Sequence, residues 1–490
     1  MVLRFEINID IFNFEFLIVN YFWCYNLTML AERTLIGKTV DKIGQEVILY
    51  GWVNSVRDHG KLVFVDLRDR SGLIQIVGGK NLLGKVKNEF VLAVEGQVKE
   101  RPKHLVNDKI TTGKVEVKAS KVTILAKAGD LPFDIYGLGK KVNEDLRLRY
   151  RYLDLRRPRL KKNLEFRHRL MQAVRQSLSS RGFWEVDTPN LSKSTPEGAR
   201  DFLVPSRLHR GKFYALPQSP QQYKQLLMVA GIEKYFQIAT CFRDEDLRAD
   251  RGLEFKQIDV EMSFISRDEV LGLMEEIIIE ILEKLGRKVS RRPFPKIGYQ
   301  EAKEKYNTDK PDLRKDNKDS GELAFAWIID FPLFEKTATR QINPMHHPFT
   351  SPNPEDLDKL VSDPLLVRSW QYDLVLNGQE VAGGSIRITD PKIQEQIFKI
   401  LGHSETEIKR RFGHFLEAFG YGVPPHGGIA FGFDRLVTIL LGEESIREVI
   451  AFPVNASGRT AVMEAPSKVS PEQLKELGLK IIDEEPDKIA

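Results

Sequence analysis

The sequence predicts an α+β protein in which a small β-barrel precedes a larger domain built on an antiparallel sheet flanked by helices. Five strand-like segments lie within residues 47–125, where β-branched residues are interrupted by Gly, Asn or charged turns. Residues 235–239 and 257–262 alternate with the period of two that is typical of a half-buried antiparallel hairpin. Between the barrel segments and this hairpin, residues 166–178 have an amphipathic helical pattern. The 490 residues are enough for two or three domains with a large core.

The predicted barrel strands cover residues 47–53, 62–69, 73–77, 90–98 and 115–125. Five short strands of this kind fit a small closed barrel, for which the OB-fold is the natural candidate. The strand pattern alone is equally compatible with a generic β-sandwich. Such barrels bind single-stranded bases by stacking them on aromatic side chains, while basic groups follow the phosphates.

A charged connector follows at residues 131–159, with arginines at positions 147, 149, 151, 156 and 157. Salt bridges to Asp145 and Asp154 are one interpretation of this cluster. Contact with a nucleic acid backbone is the other.

The predicted hairpin carries an unusual density of alternating arginines and carboxylates in residues 242–251. Arginines on a strand and acidic groups in its loop suit a site that grips a polyphosphate and its metal ion. The alternative is a solvated hairpin with surface ion pairs.

A second signal lies downstream, where the small-residue strand 427–432 runs into a helix at 437–441 with Arg435 near its start. Glycines let a flat ligand lie against the backbone. A guanidinium group can stack on a purine or clamp a phosphate.

Composition sets weaker limits on function. A hydrophobic fraction of 42% and a charged fraction of 29% are those of a soluble globular protein. The net charge of +5 permits a nucleic acid partner without demanding one. The two cysteines, Cys24 and Cys241, exclude a four-cysteine zinc site and a disulfide framework, so we expect a reducing, cytoplasmic location.

Three segments in order resemble the motifs of the class II aminoacyl-tRNA synthetases: the amphipathic helix with residues 182–189, the charged hairpin, and the glycine strand with its helix. Four further segments are similar in sequence to the bacterial-type aspartyl-tRNA synthetases, namely residues 195–202, 218–225, 345–350 and 383–387. The resemblance implies an OB-fold anticodon-binding domain at 29–130, a hinge at 131–159 and a class II catalytic domain at 160–490. It also implies a homodimer whose interface contains the first motif.

The chain departs from this family at two places. Residues 1–28 precede the resemblance and contain an apolar run at 16–24. That run is shorter than the roughly 20 residues of a membrane span, and no signal-peptide cleavage site follows it, so we expect no membrane association and take Met29 as the natural start. The inserted domain usual in the bacterial family is missing, because the short segment 315–322 stands in its place.

The resemblance implies ATP-dependent attachment of L-aspartate to tRNA through an aspartyl-adenylate. Arg243 is expected to contact the α-phosphate and the reacting carboxylate, and Arg435 the adenine or γ-phosphate side. Glu245 is expected near the adenine. The other residues expected to bind ATP are Asp244, Gln257, Glu380, Gly432, Phe433 and Asp434. Asp373 and Glu380 flank an Asn-Gly hairpin turn and resemble the carboxylates that bind Mg²⁺ in the family.

The aspartate pocket is assigned by the same resemblance. Lys224 and Arg387 match the ligands of the side-chain carboxylate, and Arg243 the ligand of the reacting one. Glu197 and Gln221 are expected to hold the α-amino group. His346 or His347, with Asp259, is expected to shape the pocket.

Other members of the class remain alternatives. Asparaginyl- and lysyl-tRNA synthetases share both domains, but Lys224 and Arg387 favour an acidic substrate. A tRNA-independent asparagine-forming ligase would lack the barrel. A catalytically inactive paralogue would have lost Arg243, Arg435 or the acidic pair, and this chain keeps them all.

For tRNA, the resemblance indicates that Phe64 stacks on a base, that Gln75 reads the middle anticodon position and that Arg57 lies beside them. A histidine at position 59 resembles the residue found in enzymes that accept both tRNA-Asp and tRNA-Asn. The alternative is that His59 is an ordinary turn residue and that the enzyme is specific for tRNA-Asp. A relaxed enzyme would need a tRNA-dependent amidotransferase as a partner.

Overall fold

The computed structural model describes residues 33–194, 198–319, 321–336 and 341–482. The predicted extension 1–28, the start at Met29 and the ligand Glu197 lie outside the described residues. The chain divides into two compact units, and the boundary falls between Pro132 and Phe133. The predicted hinge 131–159 is therefore grouped almost entirely with the second unit.

The first unit is a closed five-stranded barrel with the strand order β1-β2-β3-β5-β4. The strands are β1 Glu46–His59, β2 Leu62–Arg68, β3 Leu73–Gly79, β4 Val91–Glu100 and β5 Val115–Ala126. Helix α1 Lys80–Leu83 and the 3-10 helices Ile36–Asp41 and Lys103–Leu105 complete it. Strands β3 and β5 pair in parallel and the other neighbours pair antiparallel. The closed barrel, and not the sandwich alternative, is the observed fold.

Alternation along the strands explains the barrel. Val63, Val65 and Leu67 of β2 are buried in the barrel core, whereas Phe64 and Asp66 between them remain partly exposed on its outside. Since successive side chains of a strand point to opposite faces, one strand builds both the core and an outer surface.

The second unit contains the remaining elements. Its helices are α2 Glu144–Arg149, α3 Arg151–Asp154, α4 Pro158–Ser179, α5 Gln221–Val229, α6 Arg267–Lys284, α7 Tyr299–Tyr306, α8 Lys359–Ser362, α9 Pro391–Ile400, α10 Glu405–Gly420, α11 Phe433–Leu441 and α12 Pro471–Leu477. Its strands are β6 Trp184–Glu185, β7 Leu203–Pro205, β8 Phe213–Ala215, β9 Lys234–Phe242, β10 Glu254–Ser263, β11 Lys296–Gly298, β12 Phe325–Ile329, β13 Phe334–Lys336, β14 Ile342–Pro344, β15 Gln371–Leu376, β16 Gln379–Ile386 and β17 His426–Gly432. The 3-10 helices are Pro354–Asp356, Pro364–Leu366 and Ile446–Glu448.

An eight-stranded sheet forms the centre of this unit, in the order β11-β12-β15-β16-β17-β10-β9-β6. Its six inner strands pair antiparallel, and the two edge strands β11 and β6 pair in parallel with their neighbours. The predicted hairpin is present as β9 and β10, and the predicted glycine strand is β17. The α+β prediction with a largely antiparallel sheet is confirmed.

Helices α4 and α6 cover one face of the sheet. Leu170, Val174 and Leu178 of α4 and Ile277 of α6 belong to the same buried cluster as Ile258 of β10. The opposite face of β10 carries Gln257, Asp259 and Glu261, which alternate with the apolar residues of the core. The sheet thus buries its apolar face under helices and turns a polar face toward the site described below.

The connector arginines are mostly structural. Asp154 is fully buried and accepts hydrogen bonds from Arg147 (3.0 Å), Arg151 (3.1 Å) and Arg157 (2.6 Å). Arg147 also donates to Glu448, and Arg151 to the carbonyl oxygens of residues 447, 450 and 451. For these three arginines the salt-bridge interpretation agrees with the structure; Arg149 is exposed.

No helix among the described residues is both long enough and apolar enough to cross a membrane.

Candidate active site

A cavity of about 340 Å³ opens over the polar face of the sheet in the second unit. The predicted substrate ligands on its wall are Gln221, Lys224, Arg243, His346, His347 and Arg387. The predicted nucleotide ligands on its wall are Glu245, Gln257, Glu380, Gly432, Asp434 and Arg435. Folding therefore brings together in one cavity residues that lie more than two hundred positions apart in the chain.

Two buried cations define the floor of the cavity. Lys224 of α5 donates to Asp259 (2.7 Å) and lies 3.2 Å from Glu261, both on β10. Arg387, which directly follows β16, donates through Nε and Nη2 to the two carboxylate oxygens of Glu261 (2.8 and 3.0 Å). Since the side chains of all four residues are at most 3% exposed, solvent contributes little to holding their charges.

The two carboxyl groups respond differently to this environment. Burial alone would raise the pKa of Glu261, but Arg387 and Lys224 outweigh it and hold the pKa at about 2. Burial raises the pKa of Asp259, and the single bond to Lys224 does not fully offset it. Oδ2 of Asp259 has no hydrogen-bond partner among the described residues. Glu261 is therefore the firmly ionised anchor of the two cations, while Asp259 is the weaker one.

His346 and His347 lie beside the cations with their rings tilted by 34° and the ring centroids 4.3 Å apart. Burial, together with the charges of Arg387, Lys224 and Arg243, lowers the pKa of His346 to about 3. His347 Nε2 accepts a short bond from Arg387 Nη1 (2.6 Å), which requires that nitrogen to be unprotonated. Burial lowers the pKa of His347 as well, so both rings are neutral near pH 7.

Arg243 follows β9 and lies above the cavity. Its guanidinium group lies 5.0 Å from the ring centroid of Phe255, and its backbone N–H donates to the Leu253 carbonyl (2.9 Å). Arg243 and Phe255 both line the cavity, so the ring holds the cation at the cavity wall. A guanidinium in this place can meet an anionic ligand in the cavity.

Arg435 also lines the cavity, in the first turn of α11. It donates to the Glu380 carbonyl (2.7 Å) and to Asp250 Oδ2 (3.0 Å). The buried Nε of Arg435 has no partner among the described residues. These bonds fix the side chain at the cavity wall.

Three predicted nucleotide ligands are engaged elsewhere. Asp434 binds Arg167 of α4 through Oδ1 and accepts the Lys256 backbone N–H through Oδ2 (2.9 Å), so both of its oxygens are occupied. Phe433 is fully buried beneath the Arg167 guanidinium, 4.7 Å from it. Asp244 pairs with the exposed Arg200 at 3.5 Å. Phe433 and Asp244 do not line the cavity.

Asp373 and Glu380 lie on β15 and β16, on either side of the hairpin turn at Asn377 and Gly378, which both have positive φ. A Cβ atom at Gly383 would lie 3.1 Å from Asp373 Oδ1 and 3.7 Å from Glu380 Oε1, so both carboxylates converge on the space that this glycine leaves open. Burial and the Glu380 charge raise the pKa of Asp373 well above its usual range. A divalent cation would relieve that repulsion, and hard oxygen donors suit Mg²⁺.

This pair offers two carboxylates but not a full set of metal ligands. Among the described residues there is no group of three or more His, Cys, Asp or Glu side chains that could hold a metal ion. Lys310 lies 2.8 Å from Glu380 and supplies positive charge there. Two carboxylates fit an ion that takes most of its ligands from phosphates and water.

Sequence reasoning missed Glu261, Ser385, Gln225 and His426. Ser385 Oγ lies 2.6 Å from Arg387 Nη1, and Gln225 bonds to His426 (3.0 Å). The available signal was the alternation of Gln257, Asp259 and Glu261, which places all three on one face of β10.

The predicted anticodon residues lie on one outer face of the barrel. Arg57 donates to both oxygens of Asp66 (2.8 and 2.9 Å) and to Gln75 (3.2 Å). Gln75 also accepts from Arg101 (3.1 Å) and donates to Glu116 (2.8 Å). His59 packs edge-on against Phe64, with ring centroids 5.3 Å apart.

Comparison with known families assigns both units. A profile described as class II tRNA synthetases (D, K and N) matches residues 143–456. A profile described as an OB-fold nucleic acid binding domain matches residues 47–125.

Two curated relatives are described as aspartate–tRNA(Asp/Asn) ligases. The protein from Caldanaerobacter subterraneus subsp. tengcongensis is 42% identical over 573 aligned positions, covering 90% of this chain and 97% of the relative. The protein from Syntrophomonas wolfei subsp. wolfei is also 42% identical, with the same coverage.

Solved structures share the fold. The asparaginyl-tRNA synthetase of Pyrococcus horikoshii, complexed with asparaginyl-adenylate, has a TM-score of 0.70 and 22% identity, covering 90% of this chain and all of that one. The aspartyl-tRNA synthetase of Entamoeba histolytica has a TM-score of 0.66 and 23% identity, covering 86% and 91%.

Proposed function

The chain belongs to the class II tRNA synthetases of the aspartate, lysine and asparagine group, and on that basis we propose that it attaches L-aspartate to tRNA in two ATP-dependent steps. The observation that carries this proposal is the pair of buried cations, Lys224 and Arg387, on the floor of the cavity. The curated relatives described as aspartate–tRNA(Asp/Asn) ligases support it independently.

The buried cations explain the choice of aspartate. Lys224 and Arg387 together carry two positive charges and lie against the carboxyl groups of Asp259 and Glu261. Burial raises the pKa of Asp259, so the carboxylate of an aspartate side chain would supply negative charge that Asp259 supplies less readily. An asparagine amide would bring no charge to these desolvated cations, which costs about 2–5 kcal/mol, or roughly thirtyfold to several thousandfold in affinity.

In the first step, an oxygen of the aspartate α-carboxylate attacks the α-phosphorus of ATP. The new bond joins that oxygen to phosphorus, and the bond from phosphorus to the bridging oxygen breaks, so pyrophosphate leaves. Arg243 and Arg435, which both line the cavity, would neutralise the charge that develops on the phosphates. Asp373 and Glu380 would hold Mg²⁺, which supplies further charge neutralisation at the phosphates.

In the second step, a terminal ribose hydroxyl of tRNA attacks the carbonyl carbon of the adenylate and AMP leaves. Positioning is the main requirement of both steps. Because the pKa of both His346 and His347 is lowered, the two rings are neutral near pH 7 and are weak bases. We assign them to shaping the pocket.

We also propose that tRNA-Asn is accepted beside tRNA-Asp. Support comes from His59, which packs on Phe64 on the outer face of the barrel, and from the description of the curated relatives. An enzyme specific for tRNA-Asp is the competing proposal. Acceptance of tRNA-Asn would require a tRNA-dependent amidotransferase to convert the misacylated product.

A homodimer is proposed from the edge of the sheet. Trp184, on edge strand β6, is 62% exposed, which is unusual for so large an apolar side chain. A second copy covering this edge would remove it from water.

The test of the proposed function is aspartate-dependent exchange of pyrophosphate into ATP. The Arg387→Leu variant should lose aspartate-dependent exchange while it still binds ATP, because it removes one cation and leaves Glu261 half unpaired. Arg368→Leu is the control, since that arginine pairs with Glu355 and Asp356 at a partly exposed site. Exchange that is unchanged in Arg387→Leu, or equally strong with asparagine in the wild type, would contradict the proposal.

A further inference from the structure

A chain of three buried side chains runs from the start of β17 to the wall of the cavity. His426 Nδ1 lies 2.8 Å from the Pro424 carbonyl oxygen, and His426 Nε2 lies 3.0 Å from Gln225 Nε2. Gln225 Oε1 in turn lies 2.8 Å from Gln221 Nε2. Gln221 lines the cavity, whereas His426 and Gln225 are fully buried behind it.

The direction of every hydrogen bond in this chain is fixed by its first member. A carbonyl oxygen can only accept, so His426 Nδ1 must carry the proton and donate to Pro424. In a neutral imidazole the other nitrogen is then an acceptor, so Gln225 must donate to it through its NH₂ group. The amide oxygen of Gln225 consequently faces Gln221, which must donate its own NH₂ group.

The ring of His426 stays neutral in this setting. Burial lowers its pKa, and the charges of Arg387 and Lys224 act in the same direction, although Glu261 opposes them. A doubly protonated ring would place two donors face to face at the 3.0 Å contact with Gln225.

We infer that this one-way relay from His426 through Gln225 fixes the amide oxygen of Gln221 as a hydrogen-bond acceptor for the α-ammonium group of the substrate. His426 and Gln225 are then positioning residues that touch no ligand. The inference rests on the proposed function, since it takes the ligand to be aspartate. Without the relay, the Gln221 amide could rotate and present its NH₂ group to the ammonium, where two donors would meet.

The experiment compares two ligands that differ only in the ammonium group. Aspartate is assayed through its KM in ATP–pyrophosphate exchange, and succinate, which is aspartate without the amino group, through its inhibition constant. The Gln225→Met variant, similar in volume but unable to bond, should raise the aspartate KM by about tenfold or more, because a hydrogen bond to a charged group is lost. The succinate inhibition constant and the ATP KM should stay within about twofold, since neither ligand bonds to that oxygen.

The chain supplies a matched control. Gln222, next to the relay on α5, is also buried (8% exposed), and its Oε1 lies 3.1 Å from His414 Nε2, away from the cavity wall. Gln222→Met should leave both constants unchanged. In a second test, His426→Gln retains an acceptor for Gln225 and should restore most of the aspartate affinity that His426→Leu loses.

Four outcomes decide the matter. A rise confined to aspartate in Gln225→Met supports the relay. An unchanged aspartate KM overturns it. An equal loss of aspartate and succinate binding overturns it as well, because Gln225 would then support α5 in general and not the ammonium contact. A wild-type protein with no aspartate-dependent exchange overturns the proposed function itself and, with it, this inference.

Discussion

Glu261 touches no substrate in the proposed reaction, yet it contacts both cations that are proposed to select the substrate. Its carboxylate binds Arg387 through two oxygens and lies 3.2 Å from Lys224. A fixed anion of this kind holds two positive side chains at a set spacing, which preorganises a pocket for a ligand. In the proposed function, Glu261 therefore contributes to specificity although it does not contact the substrate.

The pH dependence of stability tests whether Glu261 is ionised in the folded protein. The pKa of Glu261 in the folded protein, about 2, lies below its ordinary value of 4.5. The group therefore stabilises the fold fully above pH 4.5, and this stabilisation is lost as the pH falls through 2. Thermal unfolding of Glu261→Gln should thus show a deficit at pH 7 that shrinks steadily between pH 4.5 and pH 2.

A control for this prediction is Glu280→Gln on α6. The pKa of Glu280 is also lowered to about 2, by Lys284 and Arg181, but its side chain is 30% exposed and solvent screens the pairing. Its deficit should be small at every pH. Equal deficits in both variants, or a Glu261→Gln deficit that does not change with pH, would show that Glu261 is not an ionised anchor.

At the scale of elements, strand β10 shows what a sequence pattern can and cannot predict. Its alternation predicts a strand with an apolar and a polar face, and both faces are observed. The pattern does not reveal which strand lies beside β10. The neighbour β17, some 170 positions away, is placed by long-range pairing, and the contact between Glu261 and Arg387 follows only from that topology.

The start of helix α11 is tied to two other elements by Asp434. Its carboxylate binds Arg167 of α4 and the backbone N–H of Lys256 on β10. Asp434→Asn should lower the free energy of unfolding by about 3 kcal/mol, because Arg167 would be left as a largely buried cation without its partner. Chemical denaturation measures this change.

Asp250→Asn is the matched comparison, since Asp250 pairs with Arg435 but is 42% exposed. Its effect on the free energy of unfolding should stay below about 1 kcal/mol. If the two variants are equally stable, Asp434 is not the structural tie that its contacts indicate.

The outer face of the barrel carries a prediction for tRNA. Phe64 lies between the buried Val63 and Val65 on β2, and this alternation puts it outside the barrel core. If a base stacks on this ring, Phe64→Ala should raise the KM for tRNA by roughly fivefold to 150-fold, the equivalent of about 1–3 kcal/mol. Exchange of pyrophosphate without tRNA should not change.

Leu125→Ala serves as the control for this surface. Leu125 is 46% exposed near the end of β5, whereas the Gln75 network contacts Glu116 near its start. A tRNA KM that rises equally in both variants, or in neither, would argue against stacking on Phe64.

For the whole molecule, comparison of lengths bears on the predicted missing insertion. The alignment with the Caldanaerobacter relative spans 573 positions, whereas this chain has 490 residues, so the relative contains a stretch that this chain lacks. The predicted place of that loss, 315–322, leads directly into β12, and the Asn377 side chain bonds to the Glu322 carbonyl and the Ala324 N–H at the junction. The location remains a prediction.

The fold class, the barrel strands and the residues of the cavity could be anticipated because they lie in local patterns and in recognisable segments. The buried relay through Gln225 and His426, and the occupation of both Asp434 oxygens, could not, because each depends on how distant elements pack. Phe433 shows the same limit, since its neighbours in sequence face the cavity while its own ring is buried.

The most direct test of the central claim is ATP-dependent charging of radiolabelled aspartate onto separate tRNA-Asp and tRNA-Asn transcripts. The proposed function predicts that both transcripts are charged. Charging of tRNA-Asp alone would contradict the relaxed specificity assigned from His59 and leave aspartylation intact. Charging of neither transcript by folded protein would contradict the assignment of this cavity to aspartyl transfer.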